Sequence, residues 1–260
     1  MLPLADTHVH LLAGRDDGPP DDDTALAMCR LLSADGCRFA TALCHQNPGY
    51  PDNVADQMRP AADRLRGQLA EKDIPLTVYP TGEVMLSPDV LPDWHAGKLV
   101  SYGDHGKHLL AEMPHNMFLD VRGVAAEFKK VGVRLVIAHA ERYPELLHDA
   151  GTAERLVAAG CLIQVSAGEL AEPRSAADER ALRGWAKRGL IHVLGSDGHG
   201  LDRRRPLVRG GYERLARWVG PQVADRIGSI WGQAVLQGRA VNPPAPVKPE
   251  RKWYAALFGG

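Results

Sequence analysis

Apolar and polar positions alternate along this chain in a rhythm of short continuous apolar runs followed by longer amphipathic stretches. Apolar runs at Arg38–Leu43, Ile74–Tyr79, Lys107–Ala111, Val133–Ala138, Cys161–Val165 and Ile191–Gly195 read as strands. Between them, apolar residues recur at helical spacing in Ala25–Ala34, Asn53–Glu71 and the stretches near 121–131, 152–160, 175–188 and 208–236. The first of these helices has acidic residues at its start (Asp21 to Asp23) and Gly36 as its stop. With the opening Met1–Ala5 segment there are about seven strand–helix units. Continuous apolar strands separated by helices predict a parallel sheet covered on both faces.

The polar residues that follow each run sharpen this picture. The chain opens on Asp6-Thr7-His8-Val9-His10, whose alternate histidines point to one side of an extended segment. Later runs end at His45, Glu83, Glu112, His139, and Asp197 with His199. Donors at the C-terminal ends of nearly every strand fit a closed (β/α) barrel better than an open doubly wound sheet, whose site lies at one switch point. Together with Asp17, these residues form a set of five imidazoles and four carboxylates: His8, His10, Asp17, His45, Glu83, Glu112, His139, Asp197 and His199. That mixture suits two or three divalent ions of the Mn, Fe or Zn kind. His95, His105, His108, His115, His148 and His192 stand in helical, loop or mid-strand contexts and read as surface or packed residues, with His115 nearest the expected mouth.

Composition excludes several classes. A formal net charge of −1 over 260 residues argues against nucleic acid as a partner. No apolar run is long enough to span a bilayer, so a cytoplasmic protein is expected. Cys29, Cys37, Cys44 and Cys161 form no C-x-x-C pair and read as reduced core residues. None of them has an arginine six positions on, which excludes a cysteine-based phosphatase, and no Gly-x-Ser-x-Gly elbow appears.

The motifs Gly14-Arg15-Asp16-Asp17-Gly18-Pro19, Cys44-His45, Thr81-Gly82-Glu83, Leu109 to Pro114, His139-Ala140-Glu141-Arg142-Tyr143 and Ser196-Asp197-Gly198-His199 with Arg205-Pro206, after the opening Asp-Thr-His-Val-His, carry a resemblance. Through them the chain resembles the PHP (polymerase and histidinol phosphatase) superfamily. Within it, the resemblance is to the bacterial PHP-type tyrosine phosphatases encoded with capsule and exopolysaccharide genes. It spans residues 1 to about 240 and implies a distorted (β/α)7 TIM-like barrel with its active site at the C-terminal strand ends. It implies one ion on His8, His10, Glu112 and Asp197, a second on Glu83, Glu112 and His139 with Glu112 bridging, and a third on Asp17, His45 and His199. It further implies that Arg142 and an arginine of the 203–205 run, taken as Arg205, bind substrate phosphate, with Asp197 or His199 as proton carrier.

The implied reaction is metal-assisted hydrolysis of phosphotyrosine on a protein, the tail of a bacterial tyrosine kinase that controls polysaccharide export. Any membrane association would run through that kinase. The family often has histidine where this chain has Gln46 and proline where it has Ala140. Rival readings are a small-molecule phosphatase of the histidinol-phosphate type, a TatD-like metal nuclease, and a barrel kept only for binding. Tyr50, Met113, Met117 and Phe118, from loops 46–52 and 113–118, are expected to offer a face to the substrate ring. Residues 241–260, rich in proline and then basic and aromatic, are expected to form a C-terminal tail.

Overall fold

Period-two alternation within each strand divides the side chains between the barrel interior and the surrounding helices, and this division positions the site. The computed structural model describes residues 2–114 and 117–247. Its strands are β1 (Leu4–Asp6), β2 (Cys37–Gln46), β3 (Thr77–Met85), β4 (His108–Glu112), β5 (Arg134–Ile137), β6 (Leu162–Ser166) and β7 (Val193–Gly195). All pairings are parallel and follow chain order, as the sequence pattern predicts. The ring closes just beyond β1. Thr7 N–H donates to Leu194 O at 2.9 Å, Asp197 N–H to His8 O at 2.7 Å and His10 N–H to Gly198 O at 3.0 Å. His8 and His10 therefore lie past the end of β1, in an extended segment held by isolated bridges of Val9 to Gly198 and His10 to Leu43.

The helices are α1 (Asp22–Ala34), α2 (Ala55–Glu71), α3 (Val90–His95), α4 (Arg122–Lys130), α5 (Pro144–Leu147), α6 (Ala150–Ala158), α7 (Ala167–Ala171), α8 (Ala176–Arg188), α9 (Arg209–Val219), α10 (Pro221–Asp225) and α11 (Trp231–Leu236). The Asp21 side chain caps α1 by accepting from Thr24 N–H at 2.8 Å. The helix expected near 208–236 is broken at Gly220-Pro221, because proline cannot continue the preceding turn, and it resumes through a widened turn at Arg226–Ile230. Helices α3, α5 and α7 are too short for an amphipathic repeat and were not expected.

Two apolar layers hold the molecule together. The outer one packs helices on the strands, with Trp185, Phe128, Met58 and Leu32 among its fully buried members. The inner one fills the lower barrel with Ala5, Leu43, Leu110, Val136, Leu162 and Val193 over a floor of Ala234, Val235 and Leu236. Tyr102 is buried among them and donates its hydroxyl to Thr7 O at 3.0 Å. All four cysteines are buried and free. Of the tail expected from residue 241, Val241 O accepts from Arg134 and Val247 N–H donates to Arg188 O; residues 248–260 lie outside the described residues, as does His115. No helix among the described residues is long and apolar enough to cross a membrane.

Candidate metal centre

Along the inward face of each strand, apolar side chains give way to polar ones at the C-terminal end. In β2, Leu43 is followed at the next inward position by His45; in β4, Leu110 by Glu112; in β6, Leu162 by Gln164 and Ser166. The nine expected donors converge at this end of the barrel. Glu83 stands at their centre, 1% exposed. Its Oε1 lies 3.2 Å from His8 Nε2 and 3.0 Å from His139 Nε2, and its Oε2 lies 3.3 Å from His10 Nε2 and 3.0 Å from His45 Nδ1. Glu112 reaches only the edge of the group, 3.4 Å from His139 Nε2.

This differs from the expected arrangement, in which Glu112 stood between two ions. Strand register explains the difference. Glu83 pairs with His45 and Leu110, whereas Glu112 lies opposite Met85, one inward position further along the barrel. Donor atoms within 4.8 Å of one another form three groups: His8, His10 and Asp197; His45, Glu83 and Glu112; and His10, Asp17, His45 and His199. In the last, Asp17 Oδ1 is 3.3 Å from both His45 Nε2 and His199 Nε2.

Residues outside the expected set orient the donors. Asp16 Oδ2 lies 2.6 Å from His10 Nδ1 and also accepts from His45 N–H at 2.9 Å. Gln164 Oε1 meets His8 Nδ1 at 3.2 Å and accepts from His139 N–H at 2.6 Å. The two ring contacts make Nδ1 of His10 and of His8 the N–H donors, so that Nε2 of each faces inward as the atom a metal would take. Asp6 Oδ1 accepts from the His8 and Ser196 N–H groups and so ties the two ends of the site together. The sequence signal for Gln164 is an amide inside an otherwise apolar strand. Gly195 is required by close approach, since a Cβ there would fall 2.3 Å from that of His8. Two of the donors sit on left-handed backbone, His139 at φ 31° and Asp197 at φ 55°, a strain that persists only where surrounding structure enforces it.

Burial and charge oppose each other here. Burial acts to lower the His10 pKa, but Asp16 and Glu83 outweigh it and raise it to about 9. His45 is driven to about 11 by Asp17 and Glu83 against its burial, and His139 to about 10 by Glu112 and Glu83. Burial would raise the Glu83 and Asp197 carboxyls, yet His8 and further cationic neighbours hold both far below the ordinary range. Burial raises Asp6 to about 6 despite its hydrogen bonds from Ser196 and His8.

The residues fit divalent ions. Nε2 of His8, His10 and His199, Nδ1 of His45, and Oε2 of Glu83 and Glu112 are buried without a hydrogen-bond partner among the described residues. Buried polar atoms gathered at a common centre without a directed hydrogen bond are costly unless something occupies it.

Asp197 connects this cluster to a pair of arginines. Its Oδ1 lies 3.3 Å from His8 Nε2, while its Oδ2 accepts from Arg142 Nη2 and from Arg204 Nη2, the latter at 2.6 Å. Arg142 pairs with Asp197 rather than with Glu141 or Glu145; Glu141 is buried and accepts from Ser166 N–H at 3.1 Å. Of the 203–205 run it is Arg204 that meets Asp197, on left-handed backbone at φ 50°. Arg205, the expected phosphate ligand, is exposed and lines the neighbouring cavity beside Arg142.

Gln46 turns away from the centre. Its amide donates to Asn53 O and Lys98 O and accepts from Val100 N–H, bracing the β2 and β3 loops. Among the residues expected to face a substrate ring, Tyr50 stacks on His45 with centroids 5.7 Å apart, and Met117 is 54% exposed. Met113 is fully buried, and its carbonyl accepts from the Tyr143 hydroxyl, so it packs inward instead. Phe118 is partly buried against the core.

A family model for capsular polysaccharide synthesis, CpsB/CapC, matches residues 4–237. The chain is 29% identical over 270 residues to the tyrosine-protein phosphatase YwqE of Bacillus subtilis, covering 98% of this chain and 99% of the relative. It is 22% identical over 229 residues to the tyrosine-protein phosphatase CpsB of Streptococcus pneumoniae, covering 86% and 94%. A chain from the crystal structures of YwqE and CpsB, described as unique metal-dependent tyrosine phosphatases, superposes with a TM-score of 0.86 at 28% identity, covering 95% of this chain and all of the other. Dihydropyrimidinase from Brevibacillus agri, at 13% identity and a TM-score of 0.53, shares the barrel fold alone.

Proposed function

The chain belongs to the CpsB/CapC family of capsular polysaccharide synthesis, and from that premise we propose that it is a metal-dependent tyrosine-protein phosphatase. The observation that carries the reading is the set of orphaned inward-facing donors around Glu83, joined through Asp197 to two guanidiniums. His8, His10 and Asp197 would hold one ion, Glu112 and His139 a second, and Asp17, His45 and His199 a third, with Glu83 reaching across between them. Two or three ions, Mn first and Fe or Zn otherwise, supply when bound the positive charge that draws in phosphoryl oxygens and activates water for in-line attack.

The protein's own groups do the rest. Arg142 and Arg204, each part exposed, bring guanidiniums to the edge of the cluster, where they hold the phosphoryl oxygens by paired hydrogen bonds. Asp16 and Gln164 keep the His10 and His8 rings oriented. Tyr50, lying parallel to His45, offers an aromatic face to the phenol ring. Asp197 and His199, expected as proton carriers, are both engaged: Asp197 by two arginines, His199 by Asp17 and by the Asp197 carbonyl. They serve better as ligands, and a phenolate leaves without a strong general acid.

Residues 1–240 form the catalytic unit in this reading. The substrate is a phosphotyrosine protein in the cytoplasm, the tail of a bacterial tyrosine kinase involved in polysaccharide export. The test compares metal-loaded protein on phosphotyrosyl peptide, phosphoserine peptide and histidinol phosphate. The expected result is a kcat/KM highest for the phosphotyrosyl peptide; a preference for histidinol phosphate would move the protein to the small-molecule class.

A further inference from the structure

Arg203, Arg204 and Arg205 send three guanidiniums to three places. The loop between β7 and α9 closes on itself where His199 N–H donates to Arg204 O at 2.8 Å, and the left-handed Arg204 turns its side chain inward to Asp197. Arg204 lines two cavities, one on either side. Arg203 lines the first, of about 440 Å³, together with Asp17, His199, Leu201 and Asp202. Arg205 lines the second, of about 700 Å³, beside Arg142.

The cavities differ in charge. In the first, Asp17 is engaged by His45, His199 and Arg204, and Arg204 is itself held by Asp197, which leaves Asp202 to set against Arg203. Arg203 has no ion pair among the described residues, and Leu201 beside it is 39% exposed. In the second, Asp197 holds Arg142 and Arg204 and Glu169 holds Arg174, and the remaining acids, Asp35, Glu172, Asp202 and Glu213, outnumber Arg205 and Arg209.

We propose that the first cavity is an outer subsite for an anionic side chain next to the phosphotyrosine, with Arg203 as the residue that selects it. The proposal rests on the phosphotyrosine reading above. An exposed guanidinium is a forked donor that suits either a carboxylate or a second phosphate. Because acids only balance the arginines on one side of Arg204 and outnumber them on the other, the preference has a direction: an acid on the Arg203 flank of the phosphotyrosine helps, and on the other it does not.

The experiment uses the metal-loaded full chain. The substrates are p-nitrophenyl phosphate and phosphotyrosyl peptides with alanine flanks, with glutamate on the N-terminal side, with glutamate on the C-terminal side, or with a second phosphotyrosine on either side. Glutamate on one flank is expected to raise kcat/KM about fivefold, the scale of an exposed ion pair. That gain should disappear in 0.5 M salt, since the Debye length then falls to a few ångströms. A larger gain from the second phosphotyrosine would identify phosphate as the natural ligand, and a larger one from glutamate would identify carboxylate. Arg203→Ala should remove the gain while leaving p-nitrophenyl phosphate turnover within twofold, and Arg203→Lys should restore part of it. Equal gains on both flanks, no gain on either, or a gain that survives Arg203→Ala would overturn the subsite. Failure to turn over any phosphotyrosyl peptide would instead overturn the phosphatase reading on which it rests.

Discussion

Histidines with little exposure stand at both ends of this barrel, and three at one end contrast with two at the other. At the C-terminal end His10, His45 and His139 are raised to about 9, 11 and 10. At the N-terminal end His108 is lowered to about 4 and His192 to about 3, by burial first and by the Arg134 charge second. His192 accepts from Ile163 N–H at 2.9 Å and lies near the Trp231 ring, so it stays a neutral acceptor within an apolar layer. The difference is the carboxylates. Glu83, Glu112, Asp16 and Asp17 make the upper end a place where positive charge is stabilised, and the lower end has none of them. One carboxylate is not enough, since burial lowers His199 although it faces Asp17, whereas His10, His45 and His139 each meet Glu83 and a second carboxylate.

The strongest way to break this contrast is to remove the charge at its centre. Glu83→Gln should lower turnover by a factor on the order of 10²–10³, the range seen when a group that stabilises transition-state charge is lost, and should reduce bound metal. Glu112→Gln should do less, because that carboxyl meets one histidine and not four. Metal analysis and turnover of the two variants, side by side, check the ranking; equal losses would restore Glu112 to the centre.

A second prediction uses pH. The raised imidazoles of the metal-free protein are protonated at neutral pH, so a cation must expel those protons to bind. Affinity should therefore rise with pH across the neutral range, about tenfold per pH unit for each proton released. Calorimetry in buffers of different ionisation enthalpy counts these protons, and binding without proton release would contradict the charge assignment.

The smallest effect belongs to the lower end. As pH falls below the ordinary imidazole value of 6.5, the unfolded chain takes up protons at His108 and His192 that the folded protein refuses until about pH 4 and 3. Over that interval the unfolded state binds more protons, so stability is intact above pH 6.5 and is lost as pH falls, by up to about 1.4 kcal/mol per unit for each group. His192→Asn should flatten this acid limb in thermal melts between pH 4 and 7 and leave bound metal unchanged. A loss of metal in that variant would mean that the two ends are not independent.

Much of this was legible in the sequence because a strand buried on both faces must be apolar until it reaches solvent. The step from Leu43 to His45, or from Leu110 to Glu112, therefore marks both an inward face and the barrel mouth. What escaped depended on relations between segments. The central place of Glu83 follows from strand register. Of the adjacent Asp16 and Asp17, one orients a ring and the other faces the cluster, a distinction set by the turn's geometry. Arg204 is selected from its neighbours by a left-handed backbone, and Met113 packs into the core while its main-chain carbonyl takes the Tyr143 hydroxyl.

The central claim is that the carboxylate-rich end of the barrel is a metal centre that hydrolyses phosphotyrosine. Its most direct test is stepwise reconstitution: strip the protein with chelator, add Mn in measured equivalents, and follow phosphotyrosyl-peptide turnover against bound metal. The account predicts negligible activity in the stripped protein and a return that saturates at two to three bound ions per chain. Full turnover by stripped protein retaining less than about a tenth of an ion per chain, a level far below one filled site, would contradict it.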